Sequence, residues 1–150
     1  MLTLRPATSA DAPRAAELIA GALAEFGLPF DAEGRDADVK SFGSRPDHDD
    51  LVAEDDGQFV GVVSVGPHGD PGVAWISKVF VVATARRHGI GQRLLDAAVE
   101  AARARGYREI GLRTRLVFRD AIRLYEKNGW TVNPSGKLVE PGDAVYWRKA

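Results

Sequence analysis

The stretch from Trp75 to Leu95 constrains the chain more than any other. Trp75-Ile-Ser-Lys-Val-Phe-Val-Val82 is apolar, β-branched and aromatic, the composition of a buried strand. Leu94, Leu95, Ala98, Val99 and Ala102 then recur at helical spacing, the apolar stripe of an amphipathic helix that runs from about Gly91 to Arg105 and stops at Gly106. Between them lies the basic loop Arg86-Arg87-His88-Gly89-Ile90-Gly91-Gln92. A loop that opens a helix offers unpaired N–H groups and the positive end of the helix dipole to an anion. Glycines allow close approach and positive φ, and arginines add charge-assisted hydrogen bonds. The loop reads as a phosphate or pyrophosphate cradle.

Two common phosphate motifs fit poorly. A dinucleotide fingerprint needs a tight turn straight after its strand and a third glycine. Here Ala83 to His88 separate the strand from Gly89, and Leu94 stands where the third glycine belongs. Glu109 does follow Gly89 by twenty residues, but it begins the next strand instead of ending it. A Walker loop is excluded because no Gly-Lys-Ser/Thr follows. A nicotinamide-binding reading is left with the Gly-x-Gly alone.

Arg86-x-x-Gly89-x-Gly91 after a strand resembles the acetyl-CoA signature of the GNAT (Gcn5-related N-acetyltransferase) family, Arg/Gln-x-x-Gly-x-Gly/Ala. Downstream, Ala121-Ile-Arg-Leu-Tyr125-Glu-Lys-Asn-Gly-Trp130 is similar to the closing helix and following strand of that family. The two motifs stand in the right order and at about the right distance, and the resemblance extends loosely over the chain. It implies a single α/β domain over residues 1–150, with a mixed, mostly antiparallel sheet flanked by helices and a β-α-β acetyl-CoA-binding core. It further implies transfer of an acetyl group from acetyl-CoA to a small-molecule or protein amine by direct attack in a ternary complex. Arg86, Arg87, His88, Gly89, Ile90, Gly91 and Gln92 would hold the pyrophosphate, His88 through its backbone. Phe80 and Val81, with Val82, would lie where a bulge in the central strand admits the pantetheine and a backbone N–H polarises the thioester carbonyl. Tyr125 takes the place of the general acid, and dimerisation is a common family trait without a marker here.

The residues themselves support part of this. Phe118, Ala121, Ile122 and Tyr125 share one helical face, so Tyr125 points inward, where a phenol could protonate a departing thiolate. A core tyrosine with a satisfied hydroxyl would look the same. The sequence also departs from the family in two places. Trp75 stands where a glutamate base is frequent, and indole accepts no proton; water or a carboxylate such as Glu54 are the substitutes. Phe118 replaces an asparagine that often precedes the closing helix. A CoA-binding sensor or interaction module without turnover therefore stays open as the alternative.

Composition narrows the rest. With 150 residues, 45% hydrophobic and 27% charged, the chain suits one globular domain. No apolar run approaches a membrane span and the N-terminus does not read as a signal peptide, so a cytoplasmic location is expected. The chain has no cysteine, which removes disulfides, thiolate metal sites and a cysteine nucleophile, and makes a covalent acetyl-enzyme unexpected. His48, His68 and His88 lack ligand spacing, so no metal site is expected. Nucleic acid is not an expected partner at a net charge of −1. That charge is asymmetric: residues 31–56 carry ten acids against three bases, and residues 78–127 carry twelve Lys/Arg against five acids. The basic half suits a polyanionic donor, and the acidic half could steer a cationic amine or simply be a solvated loop. Arg113, Arg115 and Arg119 cluster near a strand end and read as solvated surface or as contacts for an anion.

In order, the chain reads as a strand Leu2–Pro6, then a helix capped at Thr8 or Ser9 with stripe Ala15, Leu18, Ile19, Ala22 and Phe26, ended by Gly27. Residues 28–50 are irregular, with room for one short helix, and in the resembled family this region covers the acceptor site. Leu51–Asp55 and Phe59–Val65 form a hairpin at Asp56-Gly57. After the central strand and helix come a strand Glu109–Arg113, a helix from about Arg119 to Asn128, and final strands at Trp130–Val132 and Ala144–Arg148. Strand, helix and strand in succession imply a right-handed crossover and a parallel pair.

Overall fold

In a computed structural model, which describes residues 1–86, 88–132 and 142–150, seven strands form one sheet in the order β1-β2-β3-β4-β5-β7-β6. The strands are β1 (Leu2–Pro6), β2 (Asp49–Asp55), β3 (Gln58–Pro67), β4 (Val73–Val81), β5 (Glu109–Arg115), β6 (Thr131–Val132) and β7 (Asp143–Lys149). Every neighbouring pair is antiparallel except β4 and β5, which are parallel. The mixed, mostly antiparallel sheet matches the expected class. The β2–β3 turn has φ of 49° at Asp56 and 81° at Gly57, as a type I′ hairpin requires.

Three helices flank the sheet: α1 (Ala12–Ala24), α2 (Ile90–Ala104) and α3 (Arg119–Lys127). Residues on adjacent strand positions alternate between faces, and so does the core. On one face α2 buries Leu94, Leu95, Ala98 and Val99 against Val63, Val65, Ile76, Ile110 and Leu112, with Tyr125 of α3 in the same cluster. On the other, α1 buries Ala15, Leu18, Ile19 and Leu23 against Val52 and Val62, together with Val39 and Phe42 from the segment after it. That segment contains one 3-10 helix, Ala37–Ser41.

Phe26 departs from the expected stripe. Leu23 is buried in its place, while Phe26 stays 45% exposed with its ring edge-on to Phe118, 5.0 Å between centroids. Past the end of α1, Phe26 lies on the lip of the cleft described next, outside the core. Among the described residues no helix is long and apolar enough to cross a membrane.

Candidate active site

The site begins with a fault in β4. Ser64 pairs with Lys78 and Val65 with Ile76, so Ser77 is an extra residue, a β-bulge. The parallel ladder to β5 runs from Val73–Glu109 to Ile76–Leu112 and ends there. Beyond it β4 keeps only β3 and β5 keeps only β7, so the two strands part from Ser77 onward. The bulge lies upstream of the Phe80–Val82 stretch to which the resemblance assigned it. Phe80 and Val81 instead belong to the splayed arm, whose backbone facing β5 has no strand partner. Pairing between strands sets that register, and no local residue pattern reports it.

The gap opens into a cleft of about 1360 Å³. Side chains from both faces of the sheet line it. Tyr125, Leu124 and the start of α2 come from one face, while Trp75, Arg113, Trp147 and His68 come from the other. The cleft therefore passes through the sheet at the point where the strands part.

One mouth carries the glycine loop. Gly89 is the N-cap of α2 with φ 74° and, having no side chain, makes no capping hydrogen bond. The first N–H groups of the helix are left for an outside acceptor, the arrangement that binds phosphate. Gly89, Ile90, Gly91 and Gln92 all line the cleft. A Cβ on Gly89 would meet nothing within 4 Å, so the approach to the helix end is open. The side chain of Gln92 is committed elsewhere: its amide exchanges hydrogen bonds with Asn128 at 2.7 and 2.9 Å, tying α2 to the end of α3. Only its backbone is free to meet an anion. His88 is exposed. Arg87, expected in the cradle, lies outside the described residues.

Arg86 lines the cleft, but its guanidinium is engaged. Nε donates to the Val81 carbonyl at 3.1 Å, and both terminal nitrogens pair with the Glu25 carboxylate at 2.6 and 2.7 Å. Arg86 braces the end of α1 to the end of β4 and the loop. A residue read from sequence as an anion ligand thus holds the loop in place, and the partner lies 61 positions away, beyond local spacing.

Tyr125 sits across the gap, 5% exposed, and lines the cleft. Burial alone pushes its phenol above the ordinary tyrosine value, because a phenolate there would lose its hydration. Its ring lies near Trp130 and Tyr146, at centroid distances of 6.1 and 6.2 Å. Phe118 is the residue before α3, and its ring meets Phe80 as well as Phe26.

The carboxylates are arranged differently from the expectation. Glu54 accepts from Arg5 Nε at 2.8 Å at the β1 side of the sheet, away from the cleft. Of the acids in residues 31–56, only Asp36 and Asp38 line it, and Asp38 is paired with Lys78. Asp49, half-buried, pairs with Arg105, and the exposed Glu33 pairs with Lys40 and the exposed Asp55 and Asp56 with the N-terminus. Asp50 is buried with Ser64 and the Gly43 N–H. The acidic segment is therefore mostly spent on holding itself down, a use invisible without the partners. Lys78, Asp38 and Ser77 are cleft residues that spacing did not single out. Among the described residues no group of three His, Cys, Asp or Glu side chains could hold a metal ion.

A mixed sheet split beside its one parallel pair, with an uncapped helix N-terminus at one mouth, gives a cleft open to both faces of the sheet. A profile of the acetyltransferase (GNAT) family matches residues 16–130, and the chain belongs to that family. It is 30% identical over 133 residues to the uncharacterized N-acetyltransferase YhfO of Bacillus subtilis strain 168, covering 86% of this chain and 89% of that protein. A GNAT-family acetyltransferase from Staphylococcus aureus Mu50 superposes with a TM-score of 0.86 at 19% identity over 99% of both chains. The PaiA N-acetyltransferase of Thermoplasma acidophilum, in complex with coenzyme A, superposes with a TM-score of 0.80 at 16% identity, over 100% of this chain and 99% of that one. At such identities the two structures establish the shared fold.

Proposed function

We propose that this chain moves an acetyl group from acetyl-CoA to an amine acceptor by direct attack, both substrates bound at once. The observation that carries the reading is the gap between β4 and β5, lined from both faces, with the open N-terminus of α2 at one end. The backbone N–H groups of Ile90, Gly91 and Gln92 suit the pyrophosphate, and the unpaired edge of β4 from Ser77 to Val81 suits the amide-bearing pantetheine. The basic balance of residues 78–127 adds attraction for a polyanion.

In the reaction a neutral amine nitrogen bonds to the thioester carbonyl carbon, and the carbon–sulfur bond breaks. A β4 backbone N–H would stabilise the carbonyl oxygen as it gains charge. Tyr125, kept protonated by burial, would supply the proton that the departing sulfur takes up. β4 has no carboxylate, so the proton that the nitrogen loses on forming the amide would leave through water or a cleft carboxylate off that strand, such as Asp36 or Asp70, and solvent would return a proton to Tyr125. That lack favours one second reading, a CoA-binding module without turnover.

Isothermal titration with acetyl-CoA, with NADPH as control, tests the donor. Binding of acetyl-CoA alone, followed by thiol release when amines are added, supports the proposal. Tight binding with no thiol release over a broad amine panel supports the second reading. Binding of neither overturns both.

A further inference from the structure

Resting on the acetyl-transfer reading, we infer that the face of the cleft opposite Tyr125 is an aromatic shelf that takes a flat ring carried by the amine acceptor. Trp75, Gly111 and Trp147 stand in one row across β4, β5 and β7. A Cβ on Gly111 would come within 2.8 Å of Cζ3 of Trp147, so the indole lies over the bare β5 backbone. There it reaches Trp75, with centroids 5.4 Å apart and planes at 69°, an edge-to-face pair. His68 also packs against Trp75, with ring centroids 4.4 Å apart. The three rings fix one another before any ligand arrives, so little side-chain freedom is lost on binding. All three line the cleft, and the two indoles are only half-buried. Trp75 stands where a glutamate base is frequent in the family; here the strand offers a contact surface instead.

Indole faces also attract cations, so an ammonium group is the competing occupant. The charges at the rim decide against it. Arg35 and Arg113 both bear on the single carboxylate of Asp143, the latter from 3.7 Å, and Arg115 also lines the cleft. Over the whole cleft, seven Lys/Arg side chains outnumber the four lining carboxylates, Asp36, Asp38, Asp70 and Asp120, even with Asp143 added, and that balance disfavours a cation and accepts a neutral or acid-bearing ring.

The test uses saturation-transfer NMR on the full chain with three probes: L-phenylalanine, L-cyclohexylalanine and tetramethylammonium. The two amino acids share amine and carboxylate and differ only in ring aromaticity. We expect phenylalanine to bind roughly fivefold or more tightly than its saturated counterpart. Trp147→Leu, which keeps apolar bulk over Gly111, should erase that preference while the chain retains its near-UV circular dichroism outside the indole bands. Tetramethylammonium should not displace phenylalanine. Equal binding of the two amino acids, binding of neither, a preference that survives Trp147→Leu, or displacement by tetramethylammonium each overturns the inference. Acetyl-CoA titration of the same samples keeps the two readings apart. Donor binding without the aromatic preference removes the shelf alone, and loss of donor binding in the wild type removes the acetyl-transfer reading.

Discussion

Tyr125 and Gly89 show how single residues carry opposite kinds of information. Tyr125 matters through its chemistry. In the proposed transfer its neutral form would be the acid, and burial disfavours the charged form, so its pKa rises and the proton stays on throughout the ordinary working range. An alkaline limb of kcat caused by loss of this proton should therefore be absent up to pH ~10, where an exposed tyrosine would already be titrating. Tyr125→Phe should lower kcat roughly a hundredfold or more with the acetyl-CoA Kd unchanged, since general acids contribute on that scale. Full kcat in a folded Tyr125→Phe variant would leave the hydroxyl without a catalytic role. Gly89 is useful through what it lacks. At φ 74° a side chain is strained, yet a Cβ would touch nothing within 4 Å, so the cost of Gly89→Ala is purely conformational. It should destabilise by about 1 kcal/mol and lower Tm by about 2–4 °C, read by calorimetry.

At the scale of elements, the bulged strand β4 depends on the segment that follows α1. Lys78, beside the bulge, is 5% exposed and its ammonium is paired with Asp38 from the Ala37–Ser41 turn. Asp38→Asn would leave a nearly buried cation without its counter-charge, at a cost of about 2 kcal/mol. The urea midpoint should fall accordingly, and adding Lys78→Met should restore much of the loss. If Asp38→Asn leaves the midpoint unchanged, the pair does not anchor this segment. Such cross-chain pairs also mark the limit of what was legible. The stripe Leu94, Leu95, Ala98, Val99 and Ala102 is fully buried as its spacing dictates, and the Asp56-Gly57 hairpin forms where its residues require positive φ. Periodicity and turn chemistry are local, so the elements and the glycine loop could be read directly. The bulge at Ser77, the Arg86–Glu25 brace and the Asp38–Lys78 pair are set by residues brought together from afar. Even Phe26, at the right helical spacing, packs instead on the ring of Phe118, just before α3.

The whole molecule is two half-sheets joined by a short parallel ladder, four residue pairs from Val73–Glu109 to Ile76–Leu112. Beyond that ladder the halves are held by side chains, the Trp75–Trp147 and Phe80–Phe118 ring pairs and the Gln92–Asn128 amide pair, with no backbone ladder between β4 and β5. The N–H groups of β4 that face the gap have no strand partner, so their hydrogens should exchange readily in the free protein. A donor lying along β4 with its pyrophosphate on α2 would cover both sets of amides and link the halves. At a hundred times its Kd it would add about 2.7 kcal/mol of stability, which at this chain length corresponds to a Tm increase of roughly 5–10 °C. Hydrogen exchange should then slow in the Ser77–Val81 arm and in the first turn of α2, while β1 and β2, far from the gap, change only by the global increment. NADPH at the same concentration should do neither. A uniform slowing across the sheet, with no excess at β4 and α2, would mean that the ligand binds elsewhere and that the split in the sheet is not its site.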